Sequence, residues 1–413
     1  MKRLASRSTR KPKNHLFEDR NLHIIIGLTL TGILGIVSIT PALPTIAKAF
    51  NVSPDQVGLI IAVYVIPIMI GVPIFGVLAD RVGRKTVLIP SLLLFALGGI
   101  LCATAQDFHT LLEWRFLQGI GAASLELLAL TLIGDLYAGE AVVPAMAFLA
   151  GTIGISTTLF PLLGGALAEI NWRFVFLLSI VALPLALLVL TTLKLPAKAV
   201  QEQKFSLKNY VKEIWSSISS LQVLGLLLSV VCLFMLEFGP GYIYIPMFAG
   251  TVLHARGEII GVLLASNQVF LAIFASQLGR ISRKVSEATM IKASFLLFAI
   301  SFVMIPFMTN VWLLFIPCLL LGTAEALSLP PTRALLARLS PDETRAGFMS
   351  ANAMAQSIGQ AIGPILSGIA FGLGGMHGVF YACAGFSLFM IGVLYFLLTP
   401  QRVTKPVRSS QFS

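Results

Sequence analysis

The sequence predicts an all-α membrane protein with twelve transmembrane helices arranged in two halves of six. Its composition, the length of its apolar segments and the placement of its basic residues indicate this class. Of the 413 residues, 57% are hydrophobic and only 11% are charged, and the mean hydropathy is +0.90. In soluble domains about 25% of the residues are charged. A polytopic membrane protein accommodates these values.

Apolar segments of about 20 residues recur along the chain, and a helix of that length crosses the hydrocarbon with its backbone fully hydrogen-bonded. The first segment follows 21 mostly polar residues and lacks a small-residue cleavage site, which predicts a retained span and not a signal peptide. The predicted spans are 22–46, 57–79, 86–105, 109–134, 141–169, 172–193, 221–249, 257–279, 288–307, 310–334, 346–372 and 377–398.

Basic residues lie mainly on one side of the predicted spans. All but four of the 29 Lys and Arg residues fall there, and the exceptions are Lys48, Arg115, Arg173 and Arg256. The positive-inside rule therefore predicts a multi-pass protein of the cytoplasmic (inner) membrane, with both termini and the central loop in the cytoplasm. Because this topology accounts for the net charge of +11, no nucleic-acid partner is expected.

The chain divides into five predicted regions. They are a cytoplasmic tail at 1–21, a six-helix bundle at 22–193, a cytoplasmic loop at 194–220, a second six-helix bundle at 221–398 and a cytoplasmic tail at 399–413. Apolar residues at helical spacing from Leu207 to Ile218 favour a short helix along the membrane surface, with a flexible linker as the alternative.

A weak internal repeat relates the two halves. An offset of 203 residues pairs Pro161 with Pro364 and Gly165 with Gly368, in spans 5 and 11. Such repeats, related by an axis normal to the membrane, place a binding site where the halves meet. Helix-packing and hinge roles are predicted for Gly119, Pro161, Gly164, Gly165, Gly363 and Pro364.

The loop between spans 2 and 3, residues 76–85, has the sequence GVLADRVGRK and is called the signature loop below. It resembles the signature G-x-L-a-D-r-x-G-r-k between helices 2 and 3 of the major facilitator superfamily, which implies that fold for nearly the whole chain. The second half keeps only a degraded copy, at 278–284, without the acid. The resemblance implies a gate at the cytoplasmic surface in which Asp80 pairs with a basic residue or a helix N-terminus. The gating residues implied are Gly76, Asp80, Arg81, Gly83, Arg84 and Lys85.

Span 4 contains an arginine, Arg115, which opens the sequence RFLQGIGAA. This resembles the superfamily's second signature, R-x-x-q-G-x-g-a-a, found in span 4 of proton-coupled members. The resemblance implies that Arg115 takes part in proton coupling or organises the charges around it. The alternative is an arginine that snorkels to the outer surface.

Glu126 is the first candidate for a proton carrier. On an unbroken helix it lies within about 20° of the face of Arg115 and about 16 Å further along the axis, and the small Gly119 and Ala122 on that face leave room for a cavity. A carboxylate at this depth must be paired or hold a proton. A neutral, hydrogen-bonded structural carboxyl is the alternative. Asp135, near the cytoplasm on the opposite face, is predicted to be a surface charge.

Two further candidates for proton coupling or substrate binding lie in the second half. Glu237 precedes the sequence FGPG, which is predicted to break or kink span 7, and Glu325 lies near the middle of span 10. Broken helices at the midplane mark binding sites in transporters. Tyr242 and Tyr244 are predicted either to offer aromatic faces to a cationic substrate or to lie in an interfacial belt.

Two short segments resemble twelve-span drug:proton antiporters. TPALPTIA at 40–47 matches their P-x-x-P-x-I-A segment, and residues 160–165 resemble their span 5 signature, with Ser156 and Phe160 where glycines belong. The resemblance implies a secondary transporter, a proton-coupled exporter of drugs or small amphipathic or cationic molecules. An exporter of a sugar, amino acid or siderophore and a lipid or glycolipid flippase are the alternatives.

Other classes fit the sequence poorly. A membrane-embedded enzyme needs a clustered nucleophile and base or clustered metal ligands, and a channel would lack the two-half repeat and the asymmetric signature loop. The expected partners are a small-molecule substrate, protons and the lipid bilayer. We expect a monomer with no metal and no cofactor, and with the proton as coupling ion.

Overall fold

The computed structural model describes residues 19–137, 139–193, 220–339 and 345–398. All regular secondary structure within these ranges is helical. The helix predicted in the central loop, most of the predicted N-terminal tail and the whole of the predicted C-terminal tail lie outside the described residues.

Twelve helices correspond to the twelve predicted spans. α11 and α12 belong to one helical stretch, Arg345–Leu397, that is interrupted at Gly374 and Gly375, where Gly375 has φ 62°, a conformation that favours glycine. With that break counted, the twelve-span prediction is confirmed. The helices are α1 Arg20–Phe50, α2 Pro54–Val82, α3 Arg84–Thr104, α4 Phe108–Leu136, α5 Val142–Asn171, α6 Arg173–Thr192, α7 Leu221–Val252, α8 Gly257–Ile281, α9 Glu287–Phe307, α10 Val311–Leu339, α11 at 345–373 and α12 at 376–397.

Polar residues and glycine set several helix ends. At the start of α4, the Asp107 carboxylate accepts hydrogen bonds from the backbone N–H of Thr110 at 2.9 Å and from its hydroxyl at 2.7 Å. These two bonds lower the pKa of Asp107. Ser220 and Ser286 cap α7 and α9 in the same manner. Gly83 joins α2 to α3 at φ 96°, where a side chain would be strained.

Two helices are irregular inside the membrane. α4 is interrupted at residues 123–124, between the helical parts Phe108–Ala122 and Leu125–Leu136. α7 continues past the predicted break as a π-helix over Glu237–Tyr244, because Pro240 cannot donate a backbone hydrogen bond and the chain widens its turns there. At the position of the predicted break, span 7 therefore changes from α-helical to π-helical geometry and stays helical.

The helices form two halves, α1–α6 and α7–α12, as the repeat predicts. Within the first half, α3 packs on α4 and α1 on α5; within the second, α7 packs on α11 and α9 on α10. Gly119 on α4 lies against the backbone of Tyr64 on α2, and Gly322 on α10 lies against the backbone of Asn267 on α8. The same 203-residue offset relates both members of these pairs. The structure therefore extends the internal repeat to the helix crossings.

The halves meet through α5 with α8 and α2 with α11. Gly165 near the end of α5 lies against the backbone of Gly257 at the start of α8. Beside it, the Glu169 carboxylate accepts a hydrogen bond from the Gly257 N–H and pairs with Arg256 at 3.4 Å. We call this the closed end, where α1 finishes and α2 begins.

The opposite end carries the signature loop and is called the open end. Toward it, Gly154 of α5 and Gly279 of α8 have no neighbour within 4 Å of the place where a Cβ would lie. α4 and α10 make their main packing contacts only with helices of their own half. The main contacts between the halves are therefore those of α5 with α8 and of α2 with α11.

Candidate functional site

Arg84 links the signature loop to α4. Its guanidinium contacts the Asp80 carboxylate at 3.2 Å, pairs closely with Asp135 and donates to the Thr131 hydroxyl at 2.9 Å. The Asp135 side chain is only 9% exposed, whereas that of Asp80 is 68% exposed. The prediction that Asp135 is a surface charge is wrong, because the turn at Gly83 brings Arg84 against the end of α4.

The other signature-loop residues also contact the first half. The Lys85 ammonium donates to the Leu190 carbonyl at the end of α6, and Gly76 lies against the side chain of Leu127. Arg81 is exposed. Asp80 does pair with a basic residue, as expected, and the contacts of Arg84, Lys85 and Gly76 hold α2, α3, α4 and α6 together. Gating by this loop stays a prediction.

Arg115 is buried inside the first half, with 1% of its surface exposed. Its guanidinium donates to the Gln118 side chain at 2.7 Å, the Gly35 carbonyl at 3.0 Å and the Ile60 carbonyl at 3.2 Å. It also lies over the ring of Tyr64, 4.1 Å from the centroid. The snorkelling alternative is wrong, since the charge is held by acceptors on α1, α2 and α4.

Glu126 does not share the environment of Arg115. Glu126 is exposed while Arg115 is buried, although the backbone at 123–124, between the two helical parts of α4, keeps right-handed helical dihedrals. The common face stays a prediction, whereas the prediction of a cavity beside Gly119 is wrong, because Gly119 lies at a close helix crossing. Glu126 interacts electrostatically with Arg333 on α10, an exposed residue of the other half.

Glu237 and Glu325 meet inside the second half. The Tyr242 hydroxyl donates to Glu237 at 2.8 Å, and the Asn267 amide donates to Glu325 at 3.2 Å. All four side chains line one cavity of about 20 Å³, measured as space for the centre of a water molecule, which is room for one water. The two carboxyl groups also interact electrostatically with each other. The site residues predicted separately on spans 7 and 10 thus form one cluster.

The two tyrosines of α7 are buried in this conformation, so the interfacial-belt interpretation is wrong for both. Tyr242 belongs to the carboxyl cluster, and Tyr244 packs on Phe371 with 5.8 Å between the ring centroids. Neither ring is open to a substrate in this conformation.

The small residues predicted for helix packing do lie at close crossings. Gly164 lies against the backbone of Ser38, and Gly363 lies against the backbone of Met235. Between the halves, Pro161 contacts Gly261, Pro364 contacts Gly58, and Gly165 contacts Gly257 at the closed end. Hinge roles for these residues stay predictions.

Among the described residues, no group of three or more His, Cys, Asp and Glu side chains could hold a metal ion. Sequence reasoning missed Asn267, whose signal was its position one repeat after Tyr64. It also missed Arg333, which it counted only among the basic residues of the cytoplasmic side, one residue before the predicted end of span 10; α10 continues to Leu339.

Twelve membrane-spanning helices in two repeated halves define the architecture of a secondary transporter. The chain belongs to the Major Facilitator Superfamily, whose sequence profile matches residues 25–257 and 226–412. This confirms the family implied by the signature loop.

Two relatives come from Bacillus subtilis (strain 168). The chain is 32% identical to multidrug resistance protein 3 over 188 residues, which is 45% of this chain and 34% of that protein. It is 36% identical to the bacillibactin exporter over 160 residues, which is 37% of this chain and 40% of that protein. The matched region thus spans less than half the length of either relative.

Solved transporters share the fold. The nucleoside transporter NupG superimposes with a TM-score of 0.76 at 14% identity, over 92% of this chain and 100% of that one. A D-xylose-proton symporter gives 0.69 at 19% identity, over 90% and 96% of the two chains. At these identities the likeness concerns the fold.

Proposed function

We propose that the protein is a proton-coupled exporter of drugs or other small amphipathic or cationic molecules, working by alternating access. The observation that carries the proposal is the carboxyl cluster of Glu237 and Glu325, enclosed halfway along α7 and α10. Buried carboxyls at the membrane midplane are costly and typical of ion pathways.

The arrangement of Glu237 and Glu325 favours the binding and release of one proton. Two carboxylates that share a site repel each other when both are ionised, so one proton between them is favoured. Tyr242 and Asn267 each donate a hydrogen bond to one carboxyl, which stabilises whichever group is ionised. A single water in the cavity can relay the proton between Glu237 and Glu325. We therefore assign coupling to this pair ahead of Glu126.

The predicted topology and the names of two relatives support the proposed direction of transport. The positive-inside rule places the open end, with the signature loop, in the cytoplasm. Glu169 and Arg256 join the halves at the opposite, outer side, which supports entry of cargo from the cytoplasm. The names multidrug resistance protein and bacillibactin exporter both support export.

The second candidate is an exporter dedicated to one metabolite, such as a siderophore. It is supported by the 36% identity to the bacillibactin exporter. A dedicated exporter differs from a drug exporter in accepting one member of a panel of test compounds.

The test is proton release from purified protein reconstituted in liposomes with a pH dye. Cationic dyes, neutral drugs, sugars and catecholate siderophores are added one at a time. We expect amphipathic cations to release protons at saturable concentrations. Release by the siderophore alone would support the dedicated exporter, and absence of release and of transport for the whole panel would contradict the proposal.

A further inference from the structure

Each half of the protein encloses a small cavity, and the internal repeat relates the two cavities. That of the first half lies among α1, α4 and α6 and has about 10 Å³ of space for the centre of a water molecule. Five of its lining residues stand 203 positions before lining residues of the carboxyl cavity. The pairs are Leu34 with Glu237, Ser38 with Gly241, Ile39 with Tyr242, Arg115 with Cys318, and Gln118 with Leu321. The same place in the fold is therefore hollow in both halves.

The two cavities carry opposite charges. The lining of the second-half cavity includes Glu237 and Glu325 and no basic residue, whereas that of the first-half cavity includes Arg115 and no acidic residue. A carboxyl group can be neutralised by a proton, but an arginine in a protein keeps its proton. The charge of the first cavity can therefore be neutralised only by an anion.

Arg115 has no counter-charge within the described ranges, where no ion pair within 4 Å involves it. Its three acceptors, the carbonyls of Gly35 and Ile60 and the side chain of Gln118, are all neutral. They use three of the five N–H groups of the guanidinium, and the other two have no acceptor in this part of the chain. A buried cation left without a partner is strongly destabilising.

The size of the cavity restricts what can supply the charge. The space beside Arg115 is room for one particle of about the size of water. A carboxylate, phosphate or sulfate does not fit there. A water molecule fits and accepts hydrogen bonds, but it brings no charge. A halide ion is only slightly larger than water, accepts the two remaining N–H groups and supplies the missing negative charge.

We infer that the cavity lined by Arg115, Gln118 and Ser38 is a binding site for a single small anion, with chloride as the abundant ion of this class. The site lies wholly within the first half and is separate from the carboxyl cluster. The inference goes beyond the proposed export function and does not depend on it, because the anion serves as the counter-ion of Arg115.

The test is thermal unfolding of the full-length protein, purified in detergent without halide, in sodium gluconate. Chloride or bromide replaces gluconate stepwise at constant ionic strength, and gluconate is too large for the cavity. An ion that binds only the folded protein raises the melting temperature saturably, by about 2 °C at tenfold its dissociation constant for a chain of this length. We expect this rise with both halides.

Variants locate the effect. Arg115→Gln is expected to abolish the rise. Val175→Leu enlarges a side chain that lines the cavity but leaves the guanidinium in place, and it should also abolish or weaken the rise. Arg173→Gln is the matched control, since Arg173 donates to the carbonyls of Ala103 and Ala105 outside the cavity, and it should keep the full response.

A bromide soak of crystals gives a direct view, in which an anomalous peak should lie in contact with the Arg115 guanidinium. A wild type whose melting temperature is the same in chloride and gluconate would overturn the inference. So would an undiminished halide response in Arg115→Gln, or in Val175→Leu should Arg115→Gln fail to fold. An ordered water with no anomalous peak beside Arg115 would also overturn it. Substrate and a proton gradient are absent from both experiments, so neither result bears on the proposed transport.

Discussion

The backbone of Tyr64 on α2 lies so close to Gly119 on α4 that no side chain fits at position 119. Asn267 and Gly322 repeat the relationship between α8 and α10. These two crossings fix the positions of α4 and α10, which carry Arg115 and Glu325. The placement of both side chains therefore depends on the crossings.

Gly119→Ala should therefore destabilise the protein by about 1–3 kcal/mol through overpacking. Gly134→Ala on the same helix is the matched control, since nothing lies within 4 Å of a Cβ there. Thermal unfolding of both purified variants checks this. Equal melting temperatures for Gly119→Ala and Gly134→Ala would contradict the close crossing.

Removing the charge of Asp135 should be more harmful than removing that of Asp80. Asp135→Asn leaves Arg84, itself 14% exposed, without its better buried partner, and breaking a buried pair costs about 3–5 kcal/mol. The exposed contact of Asp80 is worth about 0–1 kcal/mol. The yield of monodisperse protein and its melting temperature measure the difference. If the Asp80→Asn variant were less stable than the Asp135→Asn variant, the prediction would be wrong.

Arg115→Lys should be impaired almost as much as Arg115→Ala. The guanidinium reaches acceptors on α1, α2 and α4 at once, and the compact ammonium of lysine cannot reproduce that fork. Proton-driven uptake into inverted vesicles is the measurement, with protein levels matched. Full activity of the lysine variant would mean that only the positive charge at this position matters.

Glu169→Gln should loosen the closed end. Glu169 joins the halves through Arg256 and the N-terminus of α8, whereas Glu258 contacts the same arginine at 3.1 Å from within its own half. Electron–electron distance measurements between spin labels on α5 and α8 should show a longer-distance population in Glu169→Gln. The control Glu258→Gln should keep the wild-type distance distribution. Identical distributions in the two variants would contradict the role of Glu169 in joining the halves.

The spans could be predicted because apolar length alone determines them, and small residues at crossings could be predicted from the repeat. The contact of Arg84 with Asp135 could not, because it depends on how the turn at Gly83 orients two distant segments. The interruption of α4 at 123–124 could not be predicted either, because no proline lies there. Arg333 was counted as a surface charge because it lies at the predicted end of span 10, whereas α10 continues to Leu339.

The central claim is that Glu237 and Glu325 together carry the coupled proton. In proteoliposomes, the double variant Glu237→Gln, Glu325→Gln should lose transport driven by a pH gradient yet retain exchange of labelled for unlabelled substrate without a gradient. Glu113→Gln, a change at a residue with a 59% exposed side chain, serves as control and should retain both activities. The predicted result is uncoupled exchange in the double variant alone. Gradient-driven transport at the wild-type rate in that variant would contradict the claim.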